Sequence, residues 1–368
     1  MSELRNIRCT MSISRIVIDC VNLFVKDRKK KYFLKKKYGS NPPYILTRKK
    51  AKVYKDIYIP IYKHNVQLCP VEPEIYNKKG ERLRVIFLRD HYKPNASAQT
   101  SNLIYWDKYN FELPLHLYTH GRMLETMGSP TSRFGALIET KGIKPDSYEI
   151  FSKYQGLEKD FDLIFTYDEK ILNDIPNARF VPFCADIKLF ASDFVLLPSL
   201  DEIFQQNLFY EKCKSISMLS SNKKLCDLHL KRILTANKLK NNPNVDTYGT
   251  FDGGQFIDPY ETLRDYRYSI VFENEISPYC FTEKLTNCFA TQTIPIYIGA
   301  SKIGQFFDED GIIRISENEI DNIENIIKQC SEDDYTSRKD AIMKNFLAVQ
   351  KFSNNEDYMY KNYIKNQF

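Results

Sequence analysis

Glycine is scarce, 13 in 368 residues, and tryptophan occurs once. So few glycines exclude Gly-rich repeats and a long flexible linker, and no solenoid or propeller period is present. Nine cysteines make an odd count without regular spacing. There is no CxxC pair and no Cys/His cluster at zinc spacing, so neither a disulfide framework nor a zinc site is expected. Cys184 and Cys288 sit in apolar runs and read as small buried hydrophobes, which suits a reducing compartment. Long apolar runs are missing as well. The best candidate, ISRIVIDCVNLFV (residues 13–25), is too short to span a bilayer and contains Arg15 and Asp19. No secretory signal is visible, so a cytoplasmic location is expected.

What is present is globular: 43% hydrophobic and 27% charged residues, enough chain for two domains with cores of their own. The net charge of +6 hides an asymmetry. Residues 1–80 hold 19 Lys/Arg against 6 Asp/Glu, and the remainder 34 against 41. A basic N-terminal extension therefore precedes a mildly acidic body. Ile13, Ile16, Val17, Val21, Phe24 and Val25 follow helical spacing, and KDRKKKYFLKKK (26–37) comes next. Residues 13–37 thus suit an anionic membrane surface, or a helix packed on the protein's own body beside a solvated basic face. A nucleic-acid partner is not expected, because the basic segment carries no aromatic stacking module or known motif.

Beyond residue 80 short strands alternate with helical pieces. RLRVIFLRD (82–90), FDLIFT (161–166) and ARFVPF (178–183) read as strands of a first α/β domain, residues 81–195. KSISMLSSN (214–222), the helix DLHLKRILTANKLK (227–240), VDTYGTF and YETLRDY begin a second, residues 196–330, with a helical tail at 331–368.

The densest chemistry lies in YSIVFENEISPYCFTEKLTNCFATQTIPIYIGA, residues 268–300. An apolar strand ends in Glu273 and Asn274, where ligands of open parallel sheets bind. Thr282 suits a helix N-cap and Glu283 the first turn. Free N–H groups at that helix start form a natural phosphate seat, and Lys284 adds a full cation. Glu283 has the wrong charge for phosphate but could accept hydrogen bonds from ribose hydroxyls. The array reads as a nucleotide diphosphate site, or as a plain N-cap with a surface Glu/Lys pair.

FENEISPYCFTEKLTNCFATQTIPIYIG resembles the donor-binding signature of the α1,3/4-fucosyltransferases, glycosyltransferase family 10: Phe-Glu-Asn, a fixed loop, Thr-Glu-Lys, a small helix and a Pro-containing strand ending in Gly. Upstream, SSN and the Arg-bearing KRILTANKL (231–239) are similar to the same family, and weaker similarity reaches back to about residue 82. The resemblance implies a GT-B fold, α/β with two Rossmann-like domains facing across a cleft. It implies inverting transfer of fucose from GDP-fucose to a glycan hydroxyl, without a metal or other cofactor. It would place Arg232 and Lys284 on the diphosphate and Glu283 on the ribose, with Glu273 and Asn274 shaping the pocket. A bacterial-type enzyme building surface polysaccharide or lipopolysaccharide at the inner face of the membrane is the corresponding setting. The chain departs from the pattern at Glu275, where the family has a small polar residue, and at Cys280, with Tyr279 displaced by one. That Tyr helps hold the donor in the family, so Glu275, Tyr279 and Cys280 are expected to decide which sugar is moved.

Inverting transfer needs a general base on the acceptor. Glu139, at the end of an apolar run and similarly placed to the family's base segment, is the candidate, with Asp146 and Glu125 as competitors. Asp308–Asp310 (DED) reads as a solvated turn. His116 and His120 have the i, i+4 spacing of a helical metal pair but no third ligand, and read with Arg122 as acceptor-side or structural residues. His229 reads as a surface or packing residue. Two other functions remain open: a transferase for another nucleotide sugar, or a silent nucleotide- or carbohydrate-binding module.

Overall fold

The computed structural model describes residues 69–77, 79–90, 101–108, 110–124, 130–190 and 200–367, with Cys20 and residues 23–25. Apart from those four positions, the amphipathic segment 13–25 and the basic run 26–37 lie outside the described residues, as does Glu125. Among the described residues no helix is long and apolar enough to cross a membrane. The chain divides into two compact units: Met1–Ile138, Asp146–Phe165 and Ile175–Arg179 in one, and Glu139–Pro145, Thr166–Asp174 and Phe180–Phe368 in the other. Both carry parallel sheets, so the fold class is the expected α/β.

Most of the first sheet lies in the first unit. Its strands are β1 (Ile75–Tyr76), β2 (Arg82–Arg89), β3 (Ile104–Asp107), β4 (Leu115–Thr119), β5 (Ser132–Ala136), β6 (Leu163–Thr166) and β7 (Ala178–Phe180). The order is β1-β2-β4-β5-β6-β7, with β3 also on β2. β2 pairs with β3 and β4, and β5 with β4 and β6, all in parallel. Every residue of β4, β5 and β6 is buried, as expected of parallel strands covered on both faces.

This sheet supports the structural reading of the His116/His120 pair over the metal one. LHLYT forms strand β4, so His116 and His120 do not share a helix face. The His116 ring lies in the core, its Nδ1 2.9 Å from the Tyr118 hydroxyl. Burial, and then the Arg133 cation, push its pKa down to about 3, so it is a neutral core residue. Arg133 is itself held between the Tyr118 and Phe161 rings, 4.7 Å from each. His120 follows the strand with φ 48°, its Nε2 accepting the Ile138 N–H at 3.3 Å. Arg122 lies in the short turn His120–Leu124.

The second sheet has the order β12-β11-β10-β8-β9. Its strands are β8 (Lys214–Leu219), β9 (Val245–Tyr248), β10 (Tyr266–Phe272), β11 (Ile294–Ile298) and β12 (Ile313–Arg314), all parallel. From β8 the chain steps outward to β9, then returns past β8 to lay β10 on its other side. The carboxyl ends of β8 and β10 are therefore a topological switch point, where such sheets bind ligands. Strand alternation sends Tyr268, Ile270 and Phe272 to one core with Ile294, Ile296 and Ile298. Val271 and Tyr297 point to the other.

Helices α1 (Asp227–Leu239), α2 (Glu283–Ala290) and α3 (Lys339–Ala348) pack on this sheet. α1 contributes Leu228, Ala236 and Leu239 to one core, and α2 contributes Leu285, Cys288 and Phe289 to the other. The helical tail after residue 330 packs within this unit. Phe346, Val349 and Phe352 are buried in it, and the Tyr268 hydroxyl lies 2.8 Å from both Ser331 O and Asp334 Oδ2, its two possible acceptors. Phe352 meets Phe281, the residue before the α2 cap, at 5.4 Å between ring centres, and Phe307 at 5.6 Å. Truncating Phe352 to Ala leaves a cavity behind the α2 N-terminus. We expect Phe352→Ala to lower unfolding free energy by about 3–5 kcal/mol, read as a lower urea midpoint; a midpoint unchanged from wild type would contradict this packing.

Candidate functional site

The residues at the β10 carboxyl end are organised around one carboxylate. The Glu273 N–H extends the ladder to Ile298 O at 2.9 Å, and its side chain is completely buried. Thr282 donates twice to it, backbone N–H to Oε1 at 2.8 Å and hydroxyl to Oε2 at 2.7 Å. The Tyr297 hydroxyl reaches Oε1 at 3.4 Å and Lys284 Nζ lies 3.5 Å from Oε2. Burial raises the Glu273 pKa, opposed by Lys284 and by the Thr282 donors. Gly299, just past β11, leaves room for this group: a Cβ there would sit 2.5 Å from Glu273 Cγ.

Thr282 is the N-cap of α2, its hydroxyl accepting from the Lys284 N–H at 3.4 Å. The expected phosphate seat of free N–H groups is not there. The Glu283 N–H donates to Cys184 O at 2.7 Å, and the Leu285 N–H to Thr282 O at 3.0 Å. The first turn is satisfied from within the protein because the segment after β7 docks on the helix. That segment is pinned further along by Asn287, which accepts from Lys188 N and donates to Lys188 O, both at 2.8 Å. Cys184 adopts φ 70° to present its carbonyl, an uncommon conformation for a residue other than glycine.

Positive charge at the site therefore comes from side chains. Lys284 Nζ is 3.1 Å from Thr282 Oγ1 and 3.7 Å from Glu283 Oε1. Burial disfavours charge on both members of this pair. Lys284 and Lys188 nevertheless hold Glu283 below its usual range, and Glu283 and Glu273 hold Lys284 above its own. Arg232, on α1, is buried and donates through Nη2 to Ser221 Oγ at 2.9 Å. Its Nε is buried with no hydrogen-bond partner among the described residues, so the guanidinium keeps an unused donor. Arg232, Glu283 and Lys284 line one open pocket with Ser221, Ser269 and Asn287. Two cations, a ribose-sized acceptor and an apolar wall from Leu263, Ile270 and Val271 can together hold a nucleotide diphosphate.

Asn274 is oriented from α1: its Oδ1 lies 2.9 Å from His229 Nε2. His229 is buried, and its Nδ1 accepts the Leu225 N–H at 3.1 Å, which makes Nε2 the donor of a neutral ring. Burial, first of all, lowers the His229 pKa. His229 is therefore a packed residue, one of the two readings the sequence allowed, and its place beside the site is what that reading did not include. Its i, i+3 spacing to Arg232 was the available signal, since such residues share a helix face.

Glu139 lies three residues past the end of β5 and is half-buried, its Oε1 accepting the Thr140 N–H at 2.9 Å. Burial first, and then the neighbouring Glu283 and Glu139 carboxylates, push the Cys184 thiol up to about 12. The competitor of Glu139, Asp146, is exposed in the short helix Pro145–Tyr148. Tyr279 belongs to another group: its ring packs on Phe180 at 6.0 Å and Phe306 at 6.3 Å, with Lys302 Nζ 5.3 Å from its centre. Cys280 is buried as a free thiol. Asp308 pairs with Lys344 at 2.9 Å and caps the turn Glu309–Gly311. Among the described residues no three or more His, Cys, Asp or Glu side chains gather closely enough to hold a metal ion.

Residues 209–361 match the family model described as glycosyltransferase family 10 (fucosyltransferase) C-term. Among solved structures, an alpha1,3-fucosyltransferase is similar at 15% identity, over 78% of this chain and 88% of its own, with TM-score 0.44. An alpha1,3-fucosyltransferase with GDP is similar at 13% identity, over 82% and 98%, with TM-score 0.44. Anabaena Alr3699/HepE in complex with UDP-glucose is similar at 10% identity, over 77% and 99%, with TM-score 0.47. A search of curated proteins gave no significant match. The matched stretch contains Arg232 and everything from Glu273 to Lys284. Residues 209–361 are thus a glycosyltransferase family 10 (fucosyltransferase) C-terminal domain, and the chain that carries them is a glycosyltransferase.

Proposed function

We propose that the enzyme transfers fucose from GDP-fucose, with inversion, to a hydroxyl of a glycan acceptor. The observation that carries this reading is the convergence of Arg232, Lys284 and Glu283 on one pocket at the switch point between β8 and β10. In it the diphosphate takes the unused Arg232 donor and the Lys284 ammonium, and the ribose hydroxyls donate to Glu283. As the bond from the anomeric carbon to the diphosphate breaks, negative charge grows on the departing phosphate, and two fixed cations stabilise it. No metal is invoked in this reading. Glu139 takes the proton of the acceptor hydroxyl as that oxygen bonds to the anomeric carbon from the opposite face. The setting proposed is surface polysaccharide or lipopolysaccharide assembly at the cytoplasmic face of a membrane, with residues 13–37 on the anionic lipid.

One observation favours a second reading, the same chemistry on another nucleotide sugar. Tyr279, whose counterpart helps hold the donor in the family, packs on Phe180, Phe306 and Lys302.

Three measurements test these assignments. Lys284→Ala should weaken GDP binding about 10- to 100-fold by calorimetry, the loss of a charge-assisted contact; undiminished affinity would remove Lys284 from the diphosphate. Glu139→Gln should leave GDP affinity within about twofold and lower the transfer kcat by about 10²- to 10⁴-fold; a near-normal rate would dismiss it as the base. In a panel of GDP-, UDP-, ADP- and CMP-sugars, turnover of GDP-fucose is expected. Turnover of a UDP-sugar alone would end the fucosyl assignment, and tight GDP binding without turnover of any sugar would indicate a silent module.

A further inference from the structure

Glu275 follows Asn274 just past the end of β10, and each oxygen of its carboxylate holds a partner. One oxygen accepts the Gly142 N–H and the other the Tyr167 hydroxyl, at 2.9 Å for the latter. That hydroxyl in turn accepts the Lys141 N–H at 2.6 Å. Around this carboxylate the run 140–142 is tied at every residue. Thr140 Oγ1 lies 3.5 Å from Asn274 Nδ2, and Lys141 Nζ lies 3.2 Å from Asp168. Gly142 fits so closely that a Cβ would lie 2.9 Å from Asn274 O. Thr140 O closes the turn by accepting from Ile143 N at 3.1 Å and Lys144 N at 2.9 Å. All these residues belong to the second unit, as does Glu139.

We propose that Glu275 is a positioning residue: it fixes the turn after Glu139, and thereby the Glu139 carboxylate, to the strand end that carries Glu273 and Asn274. The geometry suits that task. A carboxylate two residues past Glu273 shares its backbone anchor with the pocket, and a backbone N–H and a phenol are rigid partners. The Glu139 side chain accepts from the Thr140 N–H, so a turn free to drift would carry that carboxylate with it. Displacements of about 1 Å at a reacting group cost on the order of 10²-fold in rate. This inference rests on the reading of Glu139 as the base.

The full-length enzyme and Glu275→Ala, Glu275→Gln, Tyr167→Phe and Glu139→Gln variants test it. Glu275→Ala should lower the transfer kcat about 10- to 100-fold with GDP affinity within about twofold. Hydrogen exchange of the peptide covering 139–145 should speed up. Glu275→Gln keeps one acceptor and should recover part of the rate. Tyr167→Phe removes a single hydroxyl without changing shape, should shift rate and exchange the same way by less, and keeps the test alive if Glu275→Ala fails to fold. Adding Glu275→Ala to Glu139→Gln should cause little further loss, as for residues acting through one another. Wild-type transfer by Glu275→Ala, beside an inactive Glu139→Gln, would overturn the positioning role and leave the base assignment intact. Loss of GDP binding in Glu275→Ala would overturn it too, by placing Glu275 on the donor. A fully active Glu139→Gln would instead refute the base assignment and the positioning role that depends on it.

Discussion

The pocket on the second sheet depends on a buried carboxylate that is not part of its lining. Glu273 costs desolvation energy that an unpaired acid in the interior could not offset. Its compensation comes from both oxygens being taken, by two groups of Thr282, by Tyr297 and by the Lys284 ammonium. The same bonds lock the strand end to the helix start nine residues later. Pocket shape, helix cap and lysine position are one arrangement, and the absence of a side chain at Gly299 is the space it occupies.

Charge is balanced locally. Lys284 stands between Glu273 and Glu283, and Arg232 approaches from another helix with a donor unspent. Neutralised cations of this kind remain charged although buried, yet are not committed so tightly that a more highly charged diphosphate could not compete for them. The helix N-terminus contributes through its dipole and its cap rather than through open N–H groups, because Cys184 O and Thr282 already hold those.

Much of this was legible in the sequence where local rules decide. The strands at 214–219 and 266–272, the helices at 227–239 and 283–290 and the Thr282 cap follow from period, capping chemistry and turn residues. Arg232 and Lys284 were found by motif, and the pocket joins them. What escaped depends on distant partners. Nothing near Thr282 announces that residue 184 will cover the helix start. His116 and His120 fit a helical period by chance, and only pairing with β2 and β5 makes that segment a strand. The partners of Glu275 lie more than a hundred residues away, so nothing beside it in the sequence announces them.

The second unit is also discontinuous: residues 139–145 and 166–174 belong to it, as does everything from 180 onward. The stretch recognisable as a family 10 domain, 209–361, is therefore shorter than the body that holds the site together. Recombination between relatives at position 209 would exchange the motif but leave behind the carbonyl of Cys184, the Lys188 backbone paired with Asn287, and both partners of Glu275. For this chain the heritable module and the mechanical one have different borders. Inserts that respect the latter, carrying three separate pieces of sequence, are the ones that would transplant the site whole.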